Sequence, residues 1–318
     1  MTAKASSHNN AAESADRHRP AAPAHAPAHL ARTVAGGAIV NALSFDVEDY
    51  FQVEGFASVI ERSHWETYAT RVVANTQRVL RLLEAHGVRA TFFMLGWIAE
   101  RHPELVQEIV AGGHELGSHG YWHRPIYQQT PEEFTADVRH SLDVLAGICP
   151  GVAVTGYRAP TFSITSRSQW ALHVLADLGI KYDSSIFPLS AHDRYGIPHA
   201  SRFAGRVHPR LCEFPVSTVR YAGVNWPVAG GGYFRLLPYW VTRRAISRIH
   251  GEKNPAVIYL HSWEFDPDQP RIFHAPLLSR FRHYVNLHKT EDRMRMLLTH
   301  FHFAPLREVF ASWLSEGL

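Results

Sequence analysis

Residues 38–51 open on a nearly continuous apolar run, with Ile39, Val40, Ala42, Leu43 and Phe45, and close on acids and aromatics. This pattern predicts a strand buried on both faces, with Asp46, Glu48 and Asp49 at its C-terminal end. Over residues 66–86, Val72, Val73, Thr76, Val79, Leu80 and Leu83 recur at helical spacing, and Gly87 follows as a stop before a short strand at 90–95. The same phrase returns twice: a helix over 103–111 ends at Gly112 and Gly113, and one over 168–178 ends at Gly179 before a strand at 180–183. A further amphipathic helix is expected over 131–146, with Phe134, Val138, Leu142 and Leu145 on one face. Short strands are expected at 213–217 and 256–264, a flexible glycine-rich loop at 230–235, and helices at 277–287, 291–300 and 306–314. Helix, glycine and short apolar strand in repetition predict an α/β fold with a parallel sheet or barrel, whose functional residues sit at the C-terminal ends of the strands.

With 46% hydrophobic residues in 318, the chain can bury a large core. A formal net charge of +3, with basic residues scattered among acids, argues against a nucleic-acid footprint. Cys149 and Cys212 alone provide neither a disulfide framework nor a cysteine-rich zinc site. No apolar run reaches the length of a membrane span, and the N-terminal tract lacks a signal peptide's apolar region, so a cytoplasmic protein is the expectation. Residues 1–36, rich in Ala, Pro and His, read as a disordered tail, and residues 37–318 as a single domain with an extension from about 265.

The chemistry concentrates at the predicted strand ends. His119 and His123 stand four apart, and either a helical turn or a tight loop between Gly117 and Gly120 would let both rings reach one metal ion. Among 22 histidines such a pair is weak by itself. Asp46, Glu48 and Asp49 gathered at one strand end repel one another, which a cation would relieve. Arg158, in an apolar strand end, requires a carboxylate, and the strand at 256–264 also ends in an ionisable group, His261.

In this order the segments resemble the polysaccharide deacetylase superfamily, carbohydrate esterase family 4, also called the NodB-homology domain; the remainder is similar to the subfamily encoded with exopolysaccharide and exosortase (PEP-CTERM) clusters. The resemblance implies a distorted (β/α) barrel of about seven strands. It makes Asp46 the general base and His119 and His123 the metal-binding pair. Arg158 of the Arg-x-Pro motif would hold Asp46, His261 would be the general acid, and Asp183 would orient that histidine. Tyr50, Trp122, Pro160 and Trp263 are the expected substrate-facing residues. Three features depart from the family: the adjacent Asp-Asp pair is spaced here as Asp46-Val47-Glu48-Asp49, as in the allantoinase-like branch, Thr161 follows Pro160 where an aromatic is common, and Ile186 and Phe187 stand where a tryptophan is frequent.

The implied activity is metal-dependent N-deacetylation of an N-acetylated glycan, with a divalent ion, zinc being expected. An allantoinase-like cyclic amidase and a glycan-binding module with a vestigial metal site are the alternatives. For the third ligand, strand alternation puts Asp46 and Glu48 on one side and Asp49 on the other, so Glu48 is expected to join the histidines, with Asp49 the alternative if the strand turns early.

Overall fold

The structure, a computed structural model, describes residues 32–34, 37–189 and 196–315. The tail expected over 1–36 therefore lies almost wholly outside the described residues.

Strand β1 (Val40–Val47) is buried at every position. It lies inside the sheet, paired in parallel with β2 (Thr91–Met94) and β10 (Val257–His261), which explains why its sequence is apolar without alternation. Helices α1 (Val72–Glu84), α2 (Gly96–Arg101) and α3 (Pro103–Ala111) flank β2 and lead to β3 (Glu115–Ser118). The turn into β3 depends on Gly113, whose φ of 74° lets the His114 N–H reach back to the Ile109 carbonyl at 3.3 Å.

Helix α4 (Pro131–Ile148) starts at a complete capping box, Thr130 with Glu133, and Pro131 occupies its first turn. After it come β4 (Gly156–Tyr157), α5 (Ala171–Asp177), β5 (Tyr182–Asp183), β6 (Gly205–His208) and β7 (Leu211–Glu213). The strand expected at 213–217 thus ends at Glu213, where its pairing with β5 stops.

The sheet runs β10-β1-β2-β3-β4-β5-β7-β6, parallel from β10 to β7 and antiparallel only at β6. Seven strands run parallel along this path, where about seven were expected of the distorted barrel, and one more parallel strand joins β1 off the path. Beyond β7 the chain meets the far edge: Ser217 donates its N–H to the Val257 carbonyl at 3.2 Å and accepts the Val257 N–H on Oγ at 2.8 Å. The curled sheet is thereby drawn together.

The periodicity of residues 218–251 does not announce what they form: a hairpin, β8 (Thr218–Tyr221) with β9 (Val224–Pro227), then α6 (Gly231–Leu236) and α7 (Tyr239–Gly251). The glycine-rich stretch expected as a flexible loop is α6. After β10, a 3-10 turn (Ser262–Phe265), α8 (Leu277–Tyr284) and α9 (Thr290–His300) return the chain to β11 (His302–Ala304), which pairs with the first residues of β1. Residues beyond 265 thus complete the same sheet. Parallel β1, β3 and β10 end on one side, which brings Asp46, His119 and His261 together.

Candidate active site

Glu48 follows the last residue of β1 and keeps the alternation, so it faces the same side as Asp46. Ligand atoms of Glu48, His119 and His123 all lie within 4.8 Å of one another, and all three residues are buried. Asp49 turns away: its carboxylate accepts the backbone N–H groups of Tyr50, Arg71 and Val72 and the Thr70 hydroxyl, at 2.7–3.1 Å, at the start of α1. That is helix capping, and it occupies the alternative third ligand.

The two histidines meet on a loop and not on a helix. His119 continues β3, its N–H bonding the Met94 carbonyl at 2.9 Å. Its Nδ1 lies 2.8 Å from the Arg158 carbonyl, which fixes the proton on Nδ1 and leaves Nε2 as the free electron pair. His123 has a φ of 51°. The loop is clamped from both sides: Asp137 of α4 accepts the N–H groups of Tyr121 (2.8 Å) and Trp122 (3.1 Å), and Arg62 donates to the carbonyls of Trp122 (2.8 Å) and His123 (3.0 Å).

Burial by itself raises the Glu48 carboxyl, yet the imidazoles of His123, His261 and His119 outweigh it and hold Glu48 well below the usual carboxylate range. Burial lowers His119 to about 4, so that ring is neutral, as a ligand must be. Glu48 Oε2 lies 2.7 Å from His123 Nε2 but out of line for a hydrogen bond. That oxygen and His123 Nδ1 are both buried without a hydrogen-bond partner. Buried polar atoms are normally satisfied, so an ionised carboxylate aimed at two imidazoles fits a divalent cation, with two nitrogens and one oxygen as donors.

Asp46 is braced from below. Arg158, fully buried, donates through Nη1 to Asp46 Oδ1 (2.8 Å) and Ser44 Oγ (2.7 Å), and through Nη2 and Nε to the hydroxyl (2.8 Å) and carbonyl (3.0 Å) of Ser184. Its guanidinium also lies over the Phe93 ring, 4.3 Å from the centroid. One oxygen of Asp46 is thus fixed, and the other faces His261 Nε2 at 3.8 Å.

His261 carries the main correction to the sequence reading. The carboxylate against its Nδ1 is Glu264, at 2.6 Å, and not Asp183. Glu264 also accepts the His261 N–H at 3.1 Å across the 3-10 turn. Burial lowers His261, but Glu48, Glu264 and Asp46 overcome this and raise it to about 9. The other oxygen of Glu264 accepts Arg235 Nε at 2.7 Å. Arg235 spends its remaining donors on the carbonyls of Arg282 (3.1 Å), His283 (2.9 Å) and Val285 (2.6 Å).

Asp183 lies on β5 opposite Glu213 of β7. Its carboxylate accepts the Ser185 hydroxyl, and burial raises it to about 6. Glu213 is raised well above its usual value by burial and by the neighbouring Asp183. Glu264 was legible in principle, because residues three apart meet across one turn; Arg235 was not, since it acts only through the tertiary fold.

Gly231 makes this arrangement possible, because a Cβ there would fall on the Glu264 carboxylate. Gly231→Ala is therefore expected to displace Glu264 from Arg235 and to cost about 3–5 kcal/mol, the scale for leaving one buried charge unpaired. Urea denaturation measures it, and a loss under about 1 kcal/mol would show that the pair relocates without strain.

Of the residues expected to face substrate, only Trp122 is exposed, at 39%. Tyr50, Pro160 and Trp263 are buried. Trp263 donates its indole N–H to Glu48 Oε1 at 3.1 Å and stacks on His261, ring centroids 5.3 Å apart, so it holds those two side chains in place instead of offering an open face. Tyr50 packs edge-on against Phe51 at 5.2 Å.

A curled parallel α/β sheet thus bears a Glu-His-His cluster between a braced aspartate and a carboxylate-paired histidine. Residues 59–182 match the family described as polysaccharide deacetylase, and residues 184–311 match a domain of unknown function (DUF3473). The site draws on both, since His119, His123 and Arg158 fall in the first and Arg235, His261 and Glu264 in the second, while Asp46 and Glu48 precede them.

The chain is similar to a chitooligosaccharide deacetylase of Rhizobium leguminosarum bv. trifolii, 32% identical over 96 residues, covering 29% of this chain and 45% of the relative. A peptidoglycan-N-acetylglucosamine deacetylase of Bacillus cereus is 36% identical over 78 residues, 24% of this chain and 28% of the relative. The chain thus spans less than half the length of each of these relatives. In fold it is similar to a Mycobacterium smegmatis protein whose crystal structure is provisionally described as a polysaccharide deacetylase, with a TM-score of 0.57 and 18% identity over 87% of this chain and 92% of that one.

Proposed function

We propose that this chain is a metal-dependent N-deacetylase that hydrolyses the acetamido group of N-acetylhexosamine units in a polysaccharide or its precursor. The observation that carries the reading is the placement of His261 Nε2, 3.8 Å from Asp46 Oδ2 and 3.6 Å from Glu48 Oε1, beside the Glu48, His119 and His123 cluster. Acid, base and cation donors then surround one point, where an amide would sit.

A divalent cation held by Glu48, His119 and His123 would supply a Lewis acid for the carbonyl and lower the pKa of a bound water. Asp46, with one oxygen anchored on Arg158, accepts the proton of the attacking water through its other oxygen. His261 delivers the proton on Nε2 to the sugar nitrogen as the carbon–nitrogen bond breaks, so acetate and a free amine leave. Glu264, ionised because Arg235 and His261 outweigh its burial, holds His261 in the protonated, correctly turned state. Trp122, next to His123 and 39% exposed, offers the sugar an aromatic face.

The similarity to named deacetylases of chitooligosaccharides and peptidoglycan supports an N-acetylated glycan as substrate. The resemblance to the exopolysaccharide-locus subfamily supports a role in exopolysaccharide assembly. Acetate release from N-acetylglucosamine oligomers of different linkage, peptidoglycan fragments and allantoin tests the reading. Acetate from a glycan is expected. Ring opening of allantoin without acetate from any glycan would replace it by the cyclic amidase, and glycan binding without hydrolysis by the binding module.

A further inference from the structure

Helix α8 is amphipathic the wrong way round for a soluble fold. Its buried positions are Ser279 and His283, while Leu277, Leu278 and Phe281 stand 79%, 57% and 54% exposed. Phe273, in the turn that precedes it, adds a fourth large apolar side chain at 66% exposure. A helix on a soluble domain normally turns such a stripe inward, and single exposed apolar residues are common where a contiguous group is not.

The helix cannot roll over to hide them. His283 is stacked on Trp263, ring centroids 4.0 Å apart, and donor and acceptor meet between its Nε2 and Gln269 Oε1 at 2.6 Å. Arg235 grips the carbonyls of Arg282, His283 and Val285. The apolar face is therefore fixed outward by the same contacts that brace the acid side of the active site.

Charge decides what this face suits. Residues 269–289 contain no Asp or Glu, and carry Arg271, Arg280, Arg282 and Lys289. Arg271 is exposed, and Arg280 lies over the Phe273 ring, 5.5 Å from the centroid, beside the apolar group. Leucine and phenylalanine together with arginine, in a segment that itself holds no acid, is the composition of a helix that lies in a membrane interface. A second copy of the chain would bring two acid-free basic segments face to face, which electrostatic repulsion opposes.

We infer that Phe273, Leu277, Leu278 and Phe281, with Arg271 and Arg280, seat this protein on an anionic lipid bilayer surface. It lies on that surface and does not cross it; no helix among the described residues is long and apolar enough to span a membrane. The inference is independent of what the active site hydrolyses.

Sedimentation with extruded vesicles tests it, using the full chain, phosphatidylcholine vesicles containing about one third phosphatidylglycerol, and pure phosphatidylcholine. Wild type is expected to pellet with the anionic vesicles, less with the neutral ones, and less at high salt. The double variant Leu277→Ser with Phe281→Ser is expected to partition at least about tenfold more weakly, with an unchanged circular dichroism spectrum and melting temperature. Absence of wild-type binding to anionic vesicles overturns the inference, and so does equal binding by the variant. A dimer seen by light scattering that the same double variant dissolves would also overturn it, by assigning the face to a second copy.

Discussion

Glu264→Gln is expected to lower kcat/KM by about 10²-fold or more, the scale of a lost general acid, and to move the basic limb of its pH profile downward. His261 is raised to about 9 by carboxylates against the opposing effect of burial. A group raised in this way keeps its proton below that value and loses it as pH rises through it, so wild-type activity should fall on the basic side as His261 deprotonates. With Glu48 engaged by a cation, that carboxylate no longer favours the imidazolium, and Glu264 at 2.6 Å becomes the main group that does. A glutamine amide in its place would still accept a hydrogen bond but brings no charge. Rate profiles of both proteins on a soluble N-acetylglucosamine oligomer measure the shift. A basic limb that stays in place would show that Glu264 only packs against the ring.

The second large effect separates two neighbouring acids by what each loses. Glu48→Gln should leave the fold intact and weaken zinc binding beyond the roughly 10–100-fold typical of removing an outer partner, because it removes one of three donors. Asp49→Asn should retain zinc and lose about 2 kcal/mol of stability, since four donors converge on that carboxylate and an amide nitrogen would face some of them. Calorimetric zinc titration and urea denaturation of both variants distinguish the roles. An exchange of the two phenotypes would mean that Asp49 and not Glu48 completes the metal set.

Much of this arrangement was legible before any fold was seen, and the reason is local. Strand alternation alone separates Glu48 from Asp49, because residues two apart share a face and the backbone holds that geometry just past Val47. The apolar runs at β1, β2 and β10 announced buried parallel strands whose ends carry the chemistry. The loop conformation of His119 and His123 was one of two open possibilities, and it was decided by Asp137 and Arg62, residues whose approach depends on α4 and on the segment before α1. The partner of His261 was misread because a role was carried over by position. Here β5 lies against β7, so Asp183 meets Glu213 across the ladder, while Glu264 reaches His261 from its own turn. Arg235 and Gly231 sat in a stretch that read as a flexible loop; only the approach of Glu264 shows why a glycine and a buried arginine are needed there.

The most direct test of the account is acetate release from an N-acetylglucosamine oligomer by chelator-stripped protein before and after one equivalent of zinc is returned, in wild type and in His119→Ala. The account predicts that stripped wild type is inactive and regains activity with zinc, and that the variant does not. Acetate release that survives stripping, or that zinc restores equally in His119→Ala, would contradict it.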